Sequence, residues 1–189
     1  MAQLIFSAIT SLDGYIEDAV GNFDWAEPDE EVLRFINELE APLGTYLYGR
    51  RMYETMVFWE SAQSLVGLDD SSRAFGEIWR GARKIVYSTS LTTVSSARTQ
   101  LKRVFDPREI QEMKAVQERD MAVGGPTLAA HAFRAGLVDE CQLFLMPVAL
   151  GSGKPALSTQ ARMDLELVGG RRFRSGVVFL HYRCSMAHA

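Results

Sequence analysis

A glycine pair set between a short apolar run and a helical pattern, Val123-Gly124-Gly125-Pro126-Thr127-Leu128, constrains this chain more than any other feature. A strand that turns straight into a helix belongs to layered α/β architecture, and glycine at the turn lets backbone N–H groups approach a ligand closely. The open amides of a helix start favour an anion such as a pyrophosphate, although plain turn chemistry also accounts for two glycines at such a corner. A second junction lies upstream, where the strand-like run Tyr46-Leu47-Tyr48 ends at Gly49 and Arg50 and Arg51 open the next segment. Guanidinium groups stay charged and offer planar, multi-donor recognition of phosphate. A third run, Lys84 to Tyr87, ends in the hydroxyls of Ser88 and Thr89. Three anion-ready strand ends in one chain point to a dinucleotide.

Around these junctions the pattern alternates. Leu4 to Thr10 reads as a strand, followed by a Gly-, Asp- and Asn-rich stretch to Trp25 whose length suits a lid over a site. Val32, Leu33, Ile36 and Leu39 mark one face of a helix over Asp29 to Glu40, with Pro28 and three acids at its start. A short helix is expected around Tyr53, and another over Ser72 to Arg80 with Phe75, Ile78 and Trp79 inward and Gly81 as its stop. One edge strand is expected between Thr92 and Val104. Asp106-Pro107-Arg108-Glu109 carries the marks of a capped helix start, and Ile110, Met113 and Val116 supply its apolar face. After the helix over Thr127 to Ala135, the remaining runs are strand-like: Gln142 to Leu150, Leu165 to Val168 and Gly176 to Arg183. The expectation is one α/β domain over residues 1–189, with a central, mostly parallel mixed sheet, an antiparallel C-terminal end and flanking helices.

The chain resembles the dihydrofolate-reductase-like family, and within it the reductase domain of riboflavin biosynthesis and its stand-alone relatives. The resemblance rests on Ser11-Leu12-Asp13-Gly14-Tyr15-Ile16, Gly49-Arg50-Arg51, Ser88, Gly124-Gly125, Gly136-Leu137-Val138-Asp139-Glu140 and Pro147-Val148-Ala149-Leu150-Gly151-Ser152-Gly153, in the family's order. It implies NADPH as cofactor, held by Gly49, Arg50, Arg51, Ser88 and Thr89 at the adenosine phosphates and by Gly124, Gly125, Pro126 and Thr127 under the pyrophosphate. Met52 departs from the family, which usually has a hydroxyl there. The resemblance also implies a carboxylate near the substrate ring, at Glu30 counting from Trp25 and Pro28 or at Glu31 counting back from Phe35; Asp13 competes on the side that receives ribosyl-phosphate substrates. Three acids at a helix start also suit the macrodipole alone. The implied activity is hydride transfer to a pyrimidine- or pteridine-like heterocycle or a ribosylamino compound, as in 5-amino-6-(5-phosphoribosylamino)uracil reductase. Dihydrofolate reductase activity and nucleotide binding without turnover are the alternatives. The chain opens directly on its first strand, so a stand-alone reductase without the family's deaminase domain is expected, commonly as a homodimer.

Other classes find little support. A formal charge of −4 leaves no footprint for nucleic acid, and the Arg171, Arg172 and Arg174 cluster is too small to reverse that. No membrane span and no secretory leader is apparent, which places the chain in the cytoplasm. Cys141 and Cys184 lie in apolar strand contexts without metal spacing, and His131, His181 and His188 pair with no evident nucleophile, so no metal site is expected. The Gly-x-Gly-x-x-Gly fingerprint fails, and Gly151-Ser152-Gly153-Lys154 lacks the glycine and hydroxyl of a P-loop.

Overall fold

Both glycine-borne strand-to-helix junctions are present in the computed structural model, which describes residues 1–61, 66–157 and 162–186. The elements run β1 (Leu4–Ser11), β2 (Tyr15–Glu17), α1 (Glu30–Glu40), β3 (Thr45–Gly49), α2 (Arg50–Met56), α3 (Asp70–Gly81), β4 (Arg83–Tyr87), β5 (Thr99–Lys102), α4 (Pro107–Val116), β6 (Met121–Gly124), α5 (Pro126–Arg134), β7 (Glu140–Met146), β8 (Lys154–Pro155), β9 (Met163–Arg172) and β10 (Val178–Met186). Eight strands form one sheet in the order β5-β4-β3-β6-β1-β7-β10-β9. From β5 to β7 every pairing is parallel, and β10 then runs antiparallel to both β7 and β9. The remaining two strands, β2 and β8, pair separately as a small antiparallel ladder.

Crossover connections put helices on both faces, and the burial pattern follows from that. On one face Leu128, Ala129, Ala132 and Phe133 of α5 and Ile110 of α4 pack on Leu4, Phe6, Leu47, Ile85 and Val123. On the other, Phe75 and Trp79 of α3 cover Tyr46, Tyr48 and Val86, while Val32 of α1 meets Phe144 and Phe179. Asp29 caps α1 by accepting from Val32 N at 2.9 Å, and Asp106 caps α4 by accepting from Arg108 N at 2.9 Å, with Pro107 at the first turn. Asp139 of the Gly136 to Glu140 stretch accepts from Leu4 N at 2.7 Å and pairs with Lys114 at 2.6 Å, which ties the entry of the central strand to the end of α4. That motif is structural.

Several local expectations change. Strand β7 stops at Met146 rather than Leu150, because Pro147 lacks the N–H a ladder needs and Val148 N turns back onto Met146 O. Val116 is 79% exposed, since α4 ends there, and Ile78 is only half-buried. Glu109 pairs with Lys102, across to the edge strand, instead of reaching back to the helix cap. Gly81 is the last residue of α3, with Ala82 as cap. Cys141 is buried and Cys184 half-buried; burial pushes the Cys141 thiol up to about 12 and the Cys184 thiol to about 11. The exposed His131 contacts Arg134, His181 lies 2.8 Å from Glu140, and His188 lies outside the described residues.

Candidate functional site

All the parallel strands end on the same edge of the sheet, so the sequence-predicted residues are brought to one rim. Gly49 ends β3, Tyr87 ends β4 beside it, Gly124 ends β6 on its other side, and Ser11 ends β1 one strand further. In open α/β sheets this rim is where ligands settle. At its centre the backbone of Gly125 has φ 89°, a conformation that suits glycine, and α5 starts there with no side chain capping its first turn. The amides of Thr127 and Leu128 are therefore donors without a built-in acceptor from a capping side chain. Gly124 is required for a different reason. A Cβ there would lie 2.8 Å from the Tyr48 ring, which is buried and stacked on Tyr46 at 5.5 Å. Met52 rests on the same pair, 3.2 Å from a Cβ at Gly124 and 3.3 Å from one at Gly125. The residue that departs from the expected hydroxyl thus packs against the turn.

The two arginines at the start of α2 part company. Arg50 donates to Glu54 at 2.7 Å and to Ser90 Oγ at 3.0 Å, toward the end of β4, whereas Arg51 reaches Glu17 on β2 at 3.3 Å. Ser88 is buried and its hydroxyl accepts from Ser90 N at 3.2 Å and Leu91 N at 3.0 Å. It also lies 3.5 Å from Ser90 Oγ, where either hydroxyl can donate. Thr89 and Thr127 are exposed. An unexpected residue joins this group: Arg103, just past β5, donates to the carbonyls of Ser88 (2.9 Å) and Leu91, so an exposed guanidinium is fixed beside Ser88 and Ser90. The sequence carried one signal for it, a basic pair closing a short strand at Lys102-Arg103.

The acids are placed differently from one another. Asp13 accepts from the Ser11 hydroxyl at 2.6 Å, from Gly151 N at 2.7 Å and from Leu150 N at 3.1 Å, which joins the loop after β1 to the loop after β7. The Ser11 hydroxyl, then the amides of Gly151 and Leu150, hold its carboxyl down at about 2, so it is an anion at any working pH. Glu30 points outward to Arg34 at 2.8 Å. Glu31 meets Arg171 at 3.3 Å and Arg174 N at 3.3 Å, and the Arg171 guanidinium lies 4.9 Å from the Phe35 ring and 4.8 Å from that of Phe173. The rim brings the glycine turn, Gly49, Arg50 and Ser88 together; Glu30 and Glu31 are engaged in ion pairs with Arg34 and Arg171.

The stretch after β1 is more ordered than a featureless lid. Tyr15 and Glu17 pair with Pro155 and Lys154, and the approach is so close that a Cβ on Gly153, which has φ 148°, would meet Glu17 O at 2.0 Å. Glu17 sits 3.3 Å from Arg51 and 4.0 Å from Lys154. With residues 18–21, Gly153 and Pro155 these side chains line an open groove of about 610 Å³.

A family model for the RibD C-terminal domain matches residues 2–179. Over 185 residues the chain is 28% identical to the uncharacterized protein YyaP of Bacillus subtilis (strain 168), covering 95% of this chain and 94% of that one. Among solved structures, a candidate riboflavin biosynthesis protein from Shewanella sp. PV-4 superposes with a TM-score of 0.74 at 19% identity, covering 98% of this chain and 99% of the other. The Thermotoga maritima diaminohydroxyphosphoribosylaminopyrimidine deaminase/5-amino-6-(5-phosphoribosylamino)uracil reductase gives 0.66 at 15% identity, covering 97% of this chain and 57% of that longer one. Dihydrofolate reductase from Enterococcus faecalis, complexed with NADP(H), gives 0.63 at 15% identity, with 97% and 96% covered. The fold is dihydrofolate-reductase-like.

Proposed function

The chain belongs to the RibD C-terminal domain family, and from that footing we propose that it is an NADPH-dependent oxidoreductase acting on a pyrimidine- or pteridine-like heterocycle or a ribosylamino compound. The observation that carries the reading is the rim itself: an uncapped helix start on the glycine turn of β6, one strand from Arg50, two from Ser88 and three from Arg103, which bonds the Ser88 carbonyl. A dinucleotide fits this donor set. Gly125, Pro126 and Thr127 would lie under the pyrophosphate, and Gly49, Arg50, Ser88, Thr89 and Arg103 at the adenosine end. A 2′-phosphate has most to gain from two guanidiniums and a hydroxyl, which favours NADPH over NADH. The bound nicotinamide would supply the hydride, while the chain supplies orientation and electrostatics.

Among the acids, Asp13 takes the role of a fixed anion. Held near 2, it can accept a hydrogen bond from a substrate donor and brace the 150–151 loop, but it does not deliver a proton at neutral pH. Glu30 or Glu31 would act on substrate only by leaving Arg34 or Arg171, which makes a positioning role through the α1 start the simpler one. The proposal includes a homodimer in the cytoplasm. Its contact surface is β9, an edge strand of ten residues with Leu165, Leu167 and Val168 exposed at 38, 60 and 48%. Its first half carries Asp164 and Glu166 and its second Arg171 and Arg172, so a second copy laid antiparallel sets acids opposite arginines.

The test is a titration of NADPH and NADH against wild type, Arg50→Ala and Arg103→Ala. Each loss of a charge-assisted hydrogen bond is worth about 1.5 to 3 kcal/mol, roughly tenfold to a hundredfold in NADPH affinity with NADH little changed. Equal losses for both cofactors would remove the 2′-phosphate assignment. Consumption of NADPH with a panel of heterocycles then separates turnover from binding alone.

A further inference from the structure

In the sheet, β6 lies between β3 and β1. The helix after β3 begins with Arg50 and Arg51, and the small strand after β1 carries Glu17. Contact between Arg51 and Glu17 at 3.3 Å therefore spans the end of β6, where Gly124 and Gly125 form the turn. The carboxylate that makes the span is mostly enclosed, its side chain 18% exposed, and Lys154 approaches it from the paired strand. Its partner Arg51 is 72% exposed and uses one guanidinium nitrogen, Nη1, for the contact. The lid base is pinned independently by Asp13 to Leu150 and Gly151. Only its outer end depends on the Glu17 ion pair and the two-residue ladder with β8.

Resting on the dinucleotide reading above, we infer that Glu17 is a latch: its carboxylate holds Arg51 and Lys154 across the glycine turn in the unliganded protein and yields them to the cofactor's phosphates. The exchange is one of anions on the same cations. A pyrophosphate on the turn places negative charge close to Glu17, and a carboxylate in its path opposes entry, while Arg51 has more to gain from a phosphate than from a single carboxylate oxygen. Release of Glu17 frees the outer end of the lid, so cofactor arrival and lid movement are one event. This goes beyond cofactor holding, because it assigns a regulatory role to a residue that touches no cofactor in the final complex.

Two measurements on the full-length protein test it. Glu17→Gln keeps the shape and removes the charge. It should tighten NADPH binding by about three- to tenfold at low ionic strength, with the gain shrinking as salt screens the opposition. Hydrogen exchange in residues 15–21 should rise in the unliganded variant, and in the wild type it should rise when NADPH or inorganic pyrophosphate is added. Weaker or unchanged NADPH affinity in Glu17→Gln would overturn the latch, as would unchanged exchange in the unliganded variant. Wild type that binds neither NADPH nor pyrophosphate would instead sink the dinucleotide reading, and the unliganded exchange would still decide whether Glu17 holds the lid.

Discussion

Alanine at Gly124 and at Gly125 should fail in different ways, and the difference tests whether the turn is a cradle or only a corner. At Gly124 the new methyl would sit 2.8 and 2.9 Å from two Tyr48 ring carbons and 3.2 Å from Met52 Cγ. Met52 is flexible and half-buried, but Tyr48 is 2% exposed and stacked on Tyr46, so the ring cannot yield without disturbing the core under α3. Overpacking of this kind costs about 1 to 3 kcal/mol. For a chain of 189 residues that is roughly a 2 to 12 °C fall in Tm. At Gly125 the nearest obstacle is Met52 Cβ at 3.3 Å, and the cost arises mainly from φ 89°, about 1 to 3 kcal/mol.

Similar losses of stability should therefore accompany different losses of binding. A methyl at Gly124 is driven toward Tyr48, on the core side, and NADPH affinity should fall little in the folded variant. Gly125 opens α5 at the turn proposed to carry the pyrophosphate, and a Cβ there meets only Met52 Cβ at 3.3 Å and no core ring, so affinity should fall at least tenfold beyond any effect of unfolding. Calorimetric melting and NADPH titration well below Tm give the two numbers separately. The reasoning is refuted if Gly125→Ala folds and binds NADPH like wild type, or if Gly124→Ala melts unchanged.

Three further outcomes are expected. Burial raises the Glu40 carboxyl from its usual range to about 7, so the folded state holds a proton that the unfolded chain releases near 4.5; Tm should fall as pH rises from about 4.5 to 7, and Glu40→Gln should flatten that slope. With a substrate in hand, Asp13→Asn should lower kcat/KM and leave NADPH affinity intact, whereas Glu30→Gln should keep kcat/KM and cost only the small stability of an exposed helix pair; wild-type turnover in Asp13→Asn, Glu30→Gln and Glu31→Gln alike would discard every carboxylate role. Light scattering should give a dimer for wild type and a monomer for Leu167→Glu, and a monomeric wild type would reject the β9 contact.

The parts legible in the sequence are those fixed by local chemistry. Asp106-Pro107 names its helix start because cap and first-turn proline act within four residues, and Gly125 names a positive-φ turn because the backbone there admits little else; at α1 the helix instead begins after Pro28, with Asp29 as its cap. The parts that were not legible depend on who lies across the sheet. Arg50 and Arg51 are neighbours in sequence with one apparent role, yet α2 sends one toward β4 and the other toward β2. Arg103 enters the site because β5 pairs parallel to β4 and delivers its end next to Ser88, a consequence of register to which the basic pair Lys102-Arg103 alone does not lead. The acids show the same limit from the other side. Glu30 and Glu31 compete by spacing and Asp13 by its context after the first strand, and they are separated by partners more than a hundred residues away for Asp13 and Glu31 and by a helix neighbour for Glu30. A carboxylate held by two backbone amides and a hydroxyl is committed to its charge, while one in a single exposed ion pair is free to leave it. Long-range partners, rather than residue type, therefore decide which acid can serve as a fixed anion at this rim.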